Sequence, residues 1–200
     1  MPDQAAGKIS VEHTDLNDVR AQTVTVRRGN VRDLKASTVN LVQGGAREIR
    51  AEEIWLRQGG AQQITAANVT VRQGGALQIT AETVSLTQTG AALIQAQDVS
   101  VSTGAVGAVT AGGKVTLDQS AAKALLTKGD AALDQSAVGV LASKSASVEN
   151  SAVVFLLAGR VEGHIKPVFG LAESLAFGAA AGGVLGFILW LKNKTRRGAL

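Results

Sequence analysis

The residue types that most often carry catalysis or bind metals are scarce. There are two histidines, His13 and His164, near opposite ends of the chain, and no cysteine. No nucleophile elbow, P-loop, HExxH helix or dinucleotide fingerprint occurs. The Gln-Gly-Gly triplets at residues 43–45, 58–60 and 73–75 are followed by no helical pattern. They therefore lack the helix N-terminus on which a phosphate cradle depends. Three carboxylates, Asp118, Asp134 and Glu149, recur in steps of 16 and 15 residues. Stacked in a column they would offer the oxygen ligands that Ca²⁺ takes, but no glycine-rich ligand loop accompanies them. Lys123, Lys128 and Lys144 share their coils, so the expectation is a solvated acidic corner, with no metal and no cofactor. The chemistry that does recur is hydrogen bonding by side-chain amides: Gln43, Gln58, Gln73, Gln88, Gln119, Gln135 and Asn150, with Thr103 in the same series. Amides stacked at one place in successive strands bond along the stack. That role is structural, and the expectation is that the chain is not an enzyme.

The amides recur because the whole chain does. Coil starts fall at Ile9, Val24, Val39, Ile54, Val69, Val84, Val99, Val115, Ala131 and Ala146, in steps of 15 residues to Val99 and then 16, 16 and 15. A fixed period over most of a chain is the signature of a solenoid. Within one period, apolar or small residues hold the first, third, sixth, eighth, eleventh and thirteenth positions. Each such pair has the i, i+2 spacing of a strand with one face inward, and the two residues between pairs are corners. Three strands and three corners make a triangular coil. The third position is Val or Leu from Val11 to Val148, the eleventh is Val, Leu or Ile from Val19 to Leu156, and the thirteenth is alanine apart from Thr127 and Ser143. Two bulky columns facing small ones fill a narrow prism at interior density. An amphipathic helix is excluded, because the segments are rich in Val, Ile and Thr, carry Gly in most periods and show no 3.6-residue pattern. Aromatic residues make up 3% of the chain, too few for an ordinary globular core and natural for a thin solenoid interior.

The outward positions set the surface. The second position is mostly Ser or Thr but is broken by Asn40, Trp55 and Ala132, so no regular threonine array of the ice-binding kind forms. The seventh position runs Gly45, Gly60, Gly75, Gly90, Ala105, Ala121, Ala137, Ala152. An exposed strand surface normally carries larger side chains, so a face kept bare is expected to lie against another surface. The adjoining corner becomes apolar toward the C-terminus, through Leu93, Ala108, Ala124 and Val140 to Val154 and Phe155, and a contiguous apolar strip marks an interface.

A different element follows the repeats. Val168–Leu191 is 24 residues with one charge, Glu173. A helix of that length spans the hydrocarbon core of a bilayer. Trp190 and then Lys192, Lys194, Arg196 and Arg197 supply the interfacial aromatic and the flanking charge. Gly170, Ser174, Gly178, Gly182 and Gly186 recur every fourth residue, a small-residue stripe that lets helices approach closely in lipid. The expected organisation is a polar tail at 1–8, a β-solenoid of about ten coils at 9–160, a last partial strand and linker at 161–167, a single C-terminal transmembrane helix at 168–191 and a basic tail at 192–200.

The repeat region, about 9–160, resembles the bactofilin-like, polymer-forming β-helix proteins, through its short coils with Val/Ile/Leu and Gly at fixed places. The resemblance implies end-to-end filaments that use no nucleotide and often lie at the membrane. This chain differs in its 15–16-residue coil and in carrying its apolar segment at the C-terminal end.

Expected partners are a second copy of the chain and a lipid bilayer. A net charge of +4 with basic residues not interleaved with aromatics argues against nucleic acid, and no small-molecule substrate is identified. The leading expectation is a non-enzymatic, membrane-anchored scaffold that self-associates. The alternative is a surface binding or adhesion module, with a small oligomeric pore built around Glu173 as a third reading. The basic tail favours a cytoplasmic C-terminus, while the N-terminal residues hold no apolar leader to export the repeats. The balance places the solenoid on the cytoplasmic side.

Overall fold

A computed structural model describes residues 6–12 and 16–167 of the chain. The described residues form twelve strands: β1 (Ala6–Glu12), β2 (Leu16–Arg27), β3 (Asn30–Val42), β4 (Gly45–Arg50), β5 (Glu53–Arg57), β6 (Gly60–Ala96), β7 (Asp98–Ser102), β8 (Ala105–Ala111), β9 (Val115–Asp118), β10 (Ala121–Thr127), β11 (Asp130–Asp134) and β12 (Ala137–Pro167). Their pairings are parallel, each strand lying on the one a full turn earlier. The fold is an all-β parallel β-solenoid of about nine turns.

The register follows the coil starts read from the sequence. Ile9 pairs with Val24, Val24 with Val39, Val84 with Val99, Val99 with Val115, Val115 with Ala131 and Ala131 with Ala146. The two sixteen-residue steps place their extra residue at the third corner, at Gly112–Lys114 and again at Lys128–Asp130. There the Asp98 carboxylate accepts a hydrogen bond from the Lys114 backbone N–H at 2.7 Å, so the added residue is held without disturbing the strands on either side.

Burial follows the columns. In the turn starting at Val69, the side chains of Val69, Val71, Ala76 and Ile79 are buried, while Gly74 and Ala81 are half-buried. Ile49, Ile64, Ile79 and Ile94 stack in one column with no exposure at all. Burying an aliphatic side chain of this size contributes about 1.5–3 kcal/mol, repeated every turn. The alternation is what a sheet with one dry face requires, and it fixes the register, because a slip of one residue would turn each polar side chain inward.

The first corner has a backbone feature of its own. Arg28, Gln43, Gln58, Gln73, Gln88, Thr103, Gln119, Gln135 and Asn150 all adopt φ between 46° and 55°. A non-glycine residue in this left-handed region costs about 1–2 kcal/mol. Glycine is placed one residue later instead, for a steric reason. A Cβ on Gly44, Gly59 or Gly74 would sit 2.1–2.2 Å from the carbonyl oxygen of the glycine one turn earlier. Further on, serine takes over this column and bonds along it. Ser120 Oγ accepts from the Gly104 N–H at 3.2 Å, Ser136 Oγ from the Ser120 N–H at 3.2 Å and Ser151 Oγ from the Ser136 N–H at 2.9 Å. Each hydroxyl donates in turn to the carbonyl two residues back, at 2.6–2.7 Å.

Strand structure runs through the whole segment expected as a last partial strand and linker. β12 continues through residues 161–167 to Pro167, and Gly163, at φ +106°, packs over Val148 so closely that a Cβ would meet the Val148 carbonyl oxygen at 2.2 Å. At the other end strand pairing reaches Ala6, inside the segment read as a polar tail. Among the described residues no helix is long and apolar enough to cross a membrane. The expected helix at 168–191, with Gly170, Ser174, Gly178, Gly182, Gly186 and Glu173, lies outside the described residues.

Candidate functional site

The second face of the solenoid runs from the sixth to the eighth position of each turn. Its inward column is Ala46, Ala61, Ala76, Ala91, Val106, Ala122, Val138 and Val153, all buried. Its outward column is the glycine–alanine series. These outward glycines differ from those one residue earlier. A Cβ on Gly60 or Gly75 would meet nothing closer than 3.4 Å, and on Gly90 nothing closer than 3.9 Å. Only at Gly45 is there a closer neighbour, the end of the Asn30 side chain at 2.8 Å. The fold therefore has room for side chains at Gly60, Gly75 and Gly90, and internal packing does not account for their absence.

The bare column opens a groove of about 1130 Å³ that runs from Ala46 to Val154. Seven turns at about 4.8 Å make it roughly 34 Å long. Its floor is glycine, alanine and valine, Leu77 and Gln62 stand at the rim, and Lys123 alone of the lining residues carries a charge. Of the residues read from the sequence as a contact face, Gly60, Gly75, Gly90, Ala105, Ala121, Ala137, Ala152 and Val154 line this groove. Gly45 and Phe155 share the same columns but stand outside its lining. Val140, Val154 and Phe155 form the exposed apolar corner beside it. Leu77, Leu126 and Leu157 are further exposed apolar side chains not singled out from the sequence. The repeat register does mark all three as outward positions, so their exposure was there to be read.

Other columns change character along the axis. The tenth position carries Asp18, Asp33 and Glu48 in the first turns, Gln63 and Gln78 next, and Leu93 to Phe155 thereafter. The twelfth carries Arg20, Lys35 and Arg50 at the N-terminal end, and Leu126, Ala142 and Leu157 at the other. The charged end is knit by exposed pairs, Arg47 reaching both Asp33 carboxylate oxygens at 2.9 and 3.1 Å and Arg50 meeting Glu48 at 2.5 Å. Such pairs contribute little to stability.

The amide column at the first corner is a continuous ladder in its first half. Arg28 Nε donates to Gln43 Oε1 at 3.1 Å, then Gln43 to Gln58, Gln58 to Gln73 and Gln73 to Gln88 at 3.0–3.3 Å. Asp118, Asp134 and Glu149 are direct lateral partners, yet among the described residues no group of carboxylates or imidazoles is arranged to hold a metal ion. On the first face Trp55 is half exposed, and with Arg27, Arg57 and Glu12 it lines a cleft of about 630 Å³.

Comparison with family models, curated proteins and solved structures returns no match. The functional reading therefore rests on the groove, the columns and the apolar segment.

Proposed function

We propose that the chain is a non-enzymatic, membrane-anchored β-solenoid scaffold whose copies associate side by side through the second face. One observation carries the reading: Gly60, Gly75 and Gly90 bear no side chain where the backbone leaves room for one. A flat bare strip about 34 Å long lets another surface approach to backbone distance, and close complementarity of this kind is the property of a packed interface. The apolar corner at Val140, Val154 and Phe155 extends the strip. The apolar stretch Val168–Leu191 is the proposed anchor, with Gly170, Ser174, Gly178, Gly182 and Gly186 as its helix-packing stripe and the solenoid on the cytoplasmic side. The resemblance to bactofilin-like proteins adds an end-to-end route, since a strand edge at a solenoid end can template another copy. Side-by-side contact is preferred because anchored copies are held parallel.

The test is light scattering of the full chain in detergent at micromolar concentration. An oligomer is expected, and the combined substitution Ala121→Arg, Ala137→Arg, Ala152→Arg is expected to return it to monomer. A monomeric wild type sinks the proposal. Protease protection of the repeats in intact cells or spheroplasts checks the side of the membrane.

A second reading, a surface binding module, is favoured by the exposed Trp55, which lines a cleft together with Arg27 and Arg57. An indole and guanidinium groups lining one cleft suit a planar or anionic ligand. Loss of surface attachment in Trp55→Ala, with oligomeric state unchanged, would favour this reading over the scaffold.

A further inference from the structure

We infer that the last three turns of the solenoid lean on the bilayer surface, so that the corner and face formed by their tenth and twelfth positions enter the headgroup layer. The inference rests on the membrane-anchor reading above and adds to it an orientation and a second contact. Phe155 and Val140, on the second corner, are 50% and 48% exposed, while Leu157 and Leu126, on the third face, are 76% and 55% exposed. The same two columns carry Asp33 and Glu48, and Lys35 and Arg50, in the early turns.

A second copy seated on the groove accounts for the apolar corner beside that groove. It does not account for Leu126 and Leu157, which lie on the next face, nor for both columns becoming apolar toward the same end. A boundary cutting across the solenoid near its C-terminal end accounts for both. Strand structure continues to Pro167, and Val168, the first residue of the apolar stretch, is next in the chain. The last turn is thus joined in sequence directly to the first residue of that stretch.

Charge gives the lean its direction. Asp134 and Glu149 stand on the first corner, while the third corner of the same turns carries Lys128, Lys144 and Arg160 against one acid, Asp130. Apolar side chains flanked by lysine and arginine suit a layer of acyl chains below headgroup phosphates. The acidic corner must face away from that layer, so the axis is tilted rather than upright.

The chain has no cysteine, so single probes can be placed without background. Full-length Leu157→Cys, Leu126→Cys and Thr80→Cys, the last at the same column position in an earlier turn and outside the groove lining, each labelled with an environment-sensitive fluorophore, are reconstituted into phospholipid vesicles bearing a nitroxide-labelled lipid. Blue-shifted emission and quenching several-fold stronger at 157 and 126 than at 80 are expected. Equal, weak quenching at all three sites in protein that stays with the vesicles through an alkaline carbonate wash overturns the lean and leaves the anchor standing. A blue shift at 157 without quenching by the lipid label assigns that surface to a second copy and also overturns it. Release of the chain by carbonate overturns the anchor, and the lean with it.

Discussion

Adjacent glycines in this repeat have opposite reasons to exist. Gly74 is forced, since a methyl group there would meet the Gly59 carbonyl oxygen at 2.1 Å, whereas Gly75 has no neighbour within 3.4 Å of the same atom. Gly74→Ala should cost about 1–3 kcal/mol through overpacking, read as a lowered thermal midpoint. Gly75→Ala should change the midpoint by less than about 0.5 kcal/mol equivalent, as a surface substitution does. Equal effects at the two positions would remove the steric distinction on which the contact face rests. A second residue-scale balance concerns the corner glutamines. Gln73 sits at φ 54° and bonds to Gln88 at 3.1 Å and from Gln58 at 3.3 Å. Gln73→Ala loses the ladder bonds and keeps the strained backbone, at about 1 kcal/mol. Gln73→Gly loses the same bonds but is at ease in the left-handed region, so it should be the milder change. The reverse order would mean that left-handed strain at this corner is outweighed by the extra chain entropy that glycine loses on folding.

At the level of the element, inside and outside alternate within a single strand. In β6, Ile64 is fully buried and its neighbour Thr65 is exposed. Ile64→Asp places an unpaired carboxylate in the core and should cost more than about 4 kcal/mol, whereas Thr65→Asp should be tolerated. Circular dichroism melts separate the two outcomes, and tolerance of both would refute a closed core. The serine column is a second element-scale device. Ser136 accepts from the Ser120 N–H and donates to the Asp134 carbonyl at 2.7 Å. Ser136→Ala leaves that N–H without its partner in a buried wall, at about 1–3 kcal/mol. Ser147, an exposed residue of β12, serves as the control, with Ser147→Ala expected to be neutral.

Across the whole molecule, stability is passed from each turn to the next, as in any stacked repeat. Excising Val69–Thr83, one full period, joins Asn68 to Val84 and keeps every column in place. The product should fold as a solenoid shorter by about 4.8 Å, measurable by small-angle scattering. Excising one residue fewer shifts every later side chain by one position and turns polar residues inward, so that variant should not fold. The charge columns add direction to the rod: Arg27, Arg57 and Arg72 lie toward one end of the first corner, and Asp118, Asp134 and Glu149 toward the other. In parallel side-by-side copies these like charges come level, so high salt should strengthen association, as screening of exposed charges does.

The coil starts, the buried columns and the amide stack were legible in the sequence because each depends on spacing alone. A strand turns alternate residues inward whatever lies beyond it, and a fixed period then places Ile49, Ile64 and Ile79 above one another. The bare face was legible as a column of small residues, Gly45 to Ala152. It was also read as a contact face, but the room for a side chain at Gly75 and the lack of it at Gly74 were not legible, because the two are identical letters whose surroundings differ only once the neighbouring turns are in place. Distances between turns also decided the left-handed corner at residues such as Gln58, the hydroxyl chain of Ser120, Ser136 and Ser151, and the strand continuing through Gly163. Each of these is a contact across about 4.8 Å between residues fifteen or sixteen apart, and such a contact exists only after the coil has closed.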